Sequence, residues 1–173
     1  MKSALVVLVL LPLAACQGTH TASERSSSPT SDARFDRFKG LVGDWEAVGA
    51  STAPGAKNTY RLTAGGSAVV ETVFQGTAHE MLTVYHRDGD ALVLTHYCSA
   101  GNAPTMRAVP DGDPLHVVFE CAGGANMAES DGHMHRAEWT FTDANHASSR
   151  WTFVADGKAE DPYVMELERR PQG

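Results

Sequence analysis

The chain has 173 residues and a formal net charge of −7. That acidity, with no cluster of Lys or Arg, argues against a nucleic-acid partner. An apolar run stands at the N-terminus, and no second run of membrane length follows it.

Residues 1–16 read MKSALVVLVLLPLAAC. One Lys, an apolar stretch over Ala4–Leu11 and then small residues have the layout of a secretory signal peptide, too short for a spanning helix. Its end, Leu13-Ala14-Ala15-Cys16, resembles the cleavage motif of bacterial lipoproteins. The resemblance implies removal of residues 1–15, a lipid on Cys16, and a place in the cell envelope. The alternative is an ordinary signal peptide with a stray Cys. Gln17 follows Cys16, where enteric lipoproteins kept at the inner membrane carry Asp. That favours the outer membrane, facing the periplasm, if the envelope is Gram-negative.

Residues 17–33 contain eight Ser or Thr and no aromatic or branched aliphatic residue. Such a segment buries too little to offset its ordering entropy, so 16–33 is expected to be a tether. Residues 34–173 then form one domain, of a size that carries a real core. Loss of Lys2 with the leader leaves 13 basic against 21 acidic residues, a net charge of −8.

Within the domain, Phe35, Phe38 and Leu41–Val42 have helical spacing and glycines end the run. Turn signals then recur at Gly65-Gly66, Asp88-Gly89-Asp90, Asp111-Gly112-Asp113, Gly123-Gly124, Asp131-Gly132, Asp143-Ala144-Asn145 and Asp156-Gly157-Lys158. The runs between them are rich in Val, Leu, Thr, Tyr, Phe and Trp, the all-β pattern. Ten strands are predicted, near 44–50, 58–64, 68–75, 80–87, 91–98, 105–109, 115–121, 134–142, 147–155 and 162–169. Trp139 and Phe141, Trp151 and Phe153, and Met165 and Leu167 alternate with polar residues, as in an antiparallel sheet with one wet face. A closed up-and-down barrel with a short N-terminal helical plug removes exposed edges and is the expected fold. A sandwich is the other solution.

Gly43-Asp44-Trp45 after a short helix, followed by a ten-strand meander, resembles the calycin superfamily, and within it the nitrobindin and fatty-acid-binding-protein group. The resemblance implies a barrel with an internal ligand cavity, with Trp45 plugging the closed end and Arg169 packed on it. Nitrobindins bind haem through a His late in the chain. His146, the late His here, falls in a turn, so haem is a cofactor the resemblance raises without supplying its ligand. Otherwise no cofactor is expected.

Strand direction sorts the links. Those near 51–57, 76–79, 99–104, 122–133 and 156–161 fall at the end away from the plug and are mostly longer, which is where binding sites are usually built. His79, His96, His133 and His135 collect there, four of the seven domain histidines. Parity with Leu92 and Leu94 turns His96 and Cys98 inward. Leu115, Val117 and Phe119 turn Cys121 inward, and back-counting from Trp139 does the same for His133 and His135. Glu80 shares parity with Leu82 and Val84 and is the expected partner for an inward His.

Three readings follow. A small, partly apolar molecule would bind at this rim through His96, Asn102, Met106, Arg107, Asn126, His133 and His135. Its alternative is a barrel filled by Trp139, Phe141, Trp151, Phe153, Tyr60 and Phe74. His133-x-His135, with His96 or a Cys, could instead hold copper or zinc, with Met106, Met127 and Met134 suiting Cu(I), or form only a hydrogen-bonded rim. The third reading is an enzyme of unassigned reaction; the sequence holds no Gly-x-Ser-x-Gly, His-Glu-x-x-His or phosphate-binding loop. Cys98 and Cys121 pair as a disulfide or stay free, since an exported domain favours pairing but an intervening strand would separate them. A monomer, attached to the membrane through the lipid alone, is expected.

Overall fold

The structure is a computed structural model that describes residues 29–48, 56–110, 113–128 and 130–171. The leader over 1–15, Cys16 and most of the tether lie outside the described residues. The tether's last residues do not: helix α1 runs Pro29–Gly40 and so begins inside the segment read as tether.

Eleven strands follow: β1 Gly43–Val48, β2 Lys57–Thr63, β3 Ala68–Val73, β4 Met81–Asp88, β5 Ala91–Tyr97, β6 Ala103–Ala108, β7 His116–Ala125, β8 His133–Phe141, β9 His146–Ala155, β10 Lys158–Ala159 and β11 Tyr163–Arg169. Neighbours in sequence pair antiparallel from β1 to β9. β11 lies between β9 and β1, and the β8–β9 ladder completes the ring. The result is a closed antiparallel barrel of ten strands, as predicted. The extra element, β10, is a two-residue ladder on the end of β9 that continues where β11 stops. Its turn has Asp156 at φ 50° and Gly157 at φ 71°, the two left-handed positions of a tight hairpin.

Alternation sets the core. Trp139, Phe141, Trp151, Met165 and Leu167 are buried while Thr140, Glu166 and Glu168 are exposed. The lower half of the barrel is packed with aromatic rings. Phe38 of α1 enters it, stacking on Tyr85 at 4.3 Å between centroids and meeting Phe119, Trp139 and Phe141 edge-on. Such pairs add to the burial of the rings themselves. Arg34 of the same helix donates to Val109 O at 2.7 Å.

The seam between first and last strands closes at this end. The Arg169 guanidinium lies 4.3 Å from the Trp45 ring centroid, the packing implied by the calycin resemblance. Arg169 also donates to the carbonyls of Gly40, Val42 and Ala144, and Trp45 Nε1 donates to Leu41 O at 2.6 Å. The helix end, the β8–β9 turn and both end strands thus meet on one side chain.

Candidate ligand site at the barrel mouth

The opposite end is open. A cavity of about 480 Å³ is lined by Phe74 and His79 from the β3–β4 link, Ser99 from the β5–β6 link, Met134, and Asp161 and Tyr163 around β11. Three of the links assigned to one rim from strand direction, near 76–79, 99–104 and 156–161, share it; the link near 122–133 lines a different cavity, and most of the link near 51–57 lies outside the described residues. Beneath the cavity lies a narrow apolar neck of about 30 Å³ between Met81, His96, Met134, Trp151 and Tyr163. Phe74, Met81, Met134, Trp151 and Tyr163 line both, so neck and mouth are continuous.

His96 is the polar group of the neck. It points inward, as its parity with Leu92 and Leu94 predicts, and is only 3% exposed. Its ring lies 4.9 Å from that of Trp151, and Nδ1 is 3.0 Å from Thr83 Oγ1. Nε2 is buried with no partner. Burial lowers the imidazole pKa to about 4, so the ring is neutral at physiological pH.

Thr83 stands across the ladder from both His96 and Glu71. Glu71 is fully buried and accepts from Tyr60 and Tyr85, each at 2.6 Å. Burial raises its carboxyl pKa, while the hydroxyls of Tyr60, Tyr85 and Thr83 pull it back down. A Thr83 hydroxyl that donates to Glu71 accepts from His96 Nδ1–H. Nε2 then carries the lone pair, on a side chain that lines the neck.

Sequence reasoning missed Glu71. The signal was available: Glu71 shares parity with Val69 and Val73, both buried, and an acid on an apolar face must be partnered inside. It also misplaced the partner of His96. Leu82 is 40% exposed while Thr83 and Tyr85 are fully buried, so β4 turns the face opposite to the one expected. Tyr85 decides this, because its ring stacks on Phe38 and its hydroxyl reaches Glu71. Glu80 lies exposed and accepts from the Gly76 amide instead.

The seven residues assigned to the rim do not form one group. Met106 is fully buried in the core, across the ladder from Cys121. Arg107 is on the outer face, paired with Asp88. Asn102 is buried and donates to Gly132 O at 2.8 Å, stapling the β5–β6 link to the β7–β8 link. Asn126 is an exposed turn residue at φ 56°.

His133 and His135 come together, with Nε2 of the first 3.1 Å from Nδ1 of the second, but away from His96. The register of β8 on β9 shifts between Met134 and Arg136. This bulge breaks the count back from Trp139, as an extra residue must. Met134, not the histidines, joins the neck, and the histidines line a separate cavity with Cys121.

Cys98 and Cys121 are free thiols, not the disulfide that was one of two expectations. β6 lies between their strands. Cys98 sits in a turn, with its amide on Asn102 O, while the Cys121 thiol points to Gly123 O at 3.6 Å.

Haem does not fit. His146 is exposed at the start of β9 with its ring on the Asp143 carboxylate. His96 lines a neck with room for roughly one or two water molecules. No family model matches the chain, and no curated protein does.

Proposed function

We propose that this chain is a lipid-anchored, extracytoplasmic protein of calycin type that binds a small, largely apolar molecule in its barrel mouth. The apolar body of the ligand fills the mouth, and a hydrogen-bond donor, a hydroxyl or N–H, reaches through the neck to His96 Nε2. The observation that carries the reading is a buried, unpartnered nitrogen on a side chain that lines an apolar neck open to a 480 Å³ cavity. A buried acceptor without a partner costs about 1–3 kcal/mol, which a ligand that supplies the donor recovers. An apolar recess with few convergent polar groups is the common form of a small-molecule site.

The test compares 1-naphthol with 1-methoxynaphthalene, which keeps the rings but lacks the donor. Trp151 lines the neck, so binding is read as quenching of tryptophan emission. The expected result is about tenfold tighter binding of 1-naphthol, equal to about 1.4 kcal/mol, and loss of that preference in His96→Phe. Absence of binding by either probe sinks the reading, as does a preference that survives in His96→Phe.

The anchor rests on the match of Leu13-Ala14-Ala15-Cys16 to the lipoprotein cleavage motif. The lipid then holds the barrel at the envelope membrane, on the outer membrane in a Gram-negative cell. Metabolic labelling with radioactive palmitate should mark the native chain and not Cys16→Ser. Equal labelling of both rejects the assignment.

A further inference from the structure

A second group of side chains lies outside the mouth. Sγ of Cys121, a ring nitrogen of His133 and a ring nitrogen of His135 all lie within 4.8 Å of one another. We propose that these three residues bind a single copper(I) ion.

The backbone brings them together by two irregularities. Cys121 follows Glu120 on β7 and His135 precedes Arg136 on β8, and Glu120 and Arg136 are cross-strand partners. Cys121 and His135 therefore stand just beyond the last pair of that ladder, with their donor atoms within 4.8 Å. The bulge of β8 at Met134–Arg136 then swings His133 onto the same side. β7 slips against β6 between the Met106–Cys121 and Pro104–Gly124 pairs. That slip packs the chain at Gly124 so tightly that a Cβ there would lie 2.6 Å from Ala103 O and 2.7 Å from Met127 Sδ. Met127 is thereby held over the same cavity, a half-open space of about 680 Å³.

The donors are oriented as a metal site requires. His133 Nδ1–H donates to Asp131 O at 2.7 Å, which leaves Nε2 with its lone pair. That outer bond fixes tautomer and ring plane, as the second shell of metal histidines generally does. The carbonyl is itself held, because Asp131 and Ala128 exchange two bonds: Asp131 N to Ala128 O at 3.0 Å and Ala128 N to the Asp131 carboxylate at 2.7 Å. His133 is 4% exposed while His135 is exposed. One ligand is thus rigid, and the other is free to rotate the short way to a bond of about 2 Å.

Binding changes proton positions simply. His135 Nδ1–H now donates to His133 Nε2; on coordination that proton moves to His135 Nε2 and both facing nitrogens turn their lone pairs to the ion. The Cys121 thiol releases its proton to solvent. One proton leaves per ion, with no change of oxidation state.

The donor set selects the ion. Thiolate, two imidazoles and a thioether in the same cavity are soft to borderline ligands, and no carboxylate belongs to the cluster among the described residues. Thioether is a soft ligand that favours copper(I) over zinc, whose usual donors are Cys, His and carboxylate, and over hard cations. The half-open cavity gives a chelator or a donor molecule access to the ion.

The experiment uses the full-length lipidated protein in detergent, held anaerobic with a non-thiol reductant. Copper(I) is titrated in competition with bicinchoninate. The expected result is withdrawal of one equivalent, with affinity about tenfold or more weaker in Cys121→Ser and in His135→Ala. Cys98→Ser should match the native protein. Met127→Leu should weaken copper(I) and leave zinc(II) affinity unchanged. Cys121 is half-buried and His135 exposed, and preserved 1-methoxynaphthalene binding or circular dichroism shows that each variant is folded. No withdrawal from bicinchoninate, or native affinity in folded Cys121→Ser, overturns the proposal. Zinc held by the same three residues while copper(I) stays on the chelator overturns the choice of ion.

Discussion

His96 and Glu71 both ionise, both lie inside the barrel, and both are pushed toward their neutral forms by burial. Their consequences for stability have opposite sign. The His96 pKa is lowered from 6.5 to about 4, so between those values the unfolded chain holds a proton that the folded one does not. Stability from this group is complete above pH 6.5 and is lost as pH falls toward 4. The full difference is about 3 kcal/mol. The raised pKa of Glu71 acts the other way. Its contribution is present below 4.5 and is lost as pH rises through the folded value. Comparing native protein with His96→Phe removes Glu71 from the difference, because both carry it. Urea unfolding at pH 4, 5, 6 and 7 should show native stability falling relative to His96→Phe by about 3 kcal/mol across that range. Parallel curves would mean that His96 is not neutral and buried as described.

At the scale of strands, what the sequence makes legible is the period, and what it hides is a break in the period. Trp139-x-Phe141 and Met165-x-Leu167 announce their inner faces because a large apolar side chain alternates with a polar one. β5 is legible for the same reason, and it carries His96 inward with Leu92 and Leu94. β4 is not, since Leu82 and Val84 read as apolar while Thr83 and Tyr85 look equally suited to the wet side. The ring of Phe38, from a helix distant in sequence, and the carboxylate of Glu71 settle which face turns in. The bulges are hidden more completely. Gly123-Gly124 read as a turn, yet β7 runs through it to Ala125. The single shift in β8 sends Met134 to the neck and the two histidines elsewhere. Nothing in His-Met-His signals an extra residue, because a bulge is fixed by the partner strand and not by local preference. Parity therefore placed His96 correctly from an unbroken strand and misplaced His133 and His135 from a broken one.

For the molecule as a whole, one end is closed by packing and the other is the end proposed for recognition. The plugged end holds the aromatic stack and the seam, while the neck beneath the mouth is lined by His96, whose Nε2 is unpartnered. Arg169 makes this division testable, because it ties the ring shut far in sequence from the helix that it holds. Its guanidinium serves three backbone carbonyls, on Gly40, Val42 and Ala144, and covers the Trp45 ring. Alanine removes all four interactions and leaves helix-end carbonyls without a donor. Partial solvent exposure of the group limits the loss to about 1–3 kcal/mol. Lysine restores the charge but cannot span three acceptors with one ammonium, so Arg169→Lys should recover less than half of that loss. Both variants, measured by urea unfolding at pH 7, should lower stability in that order while leaving 1-naphthol affinity in the mouth unchanged. A parallel loss of naphthol binding in folded Arg169→Ala would show that the seam reaches the mouth, and that the barrel behaves as one cooperative frame and not as a fixed floor beneath an independent site.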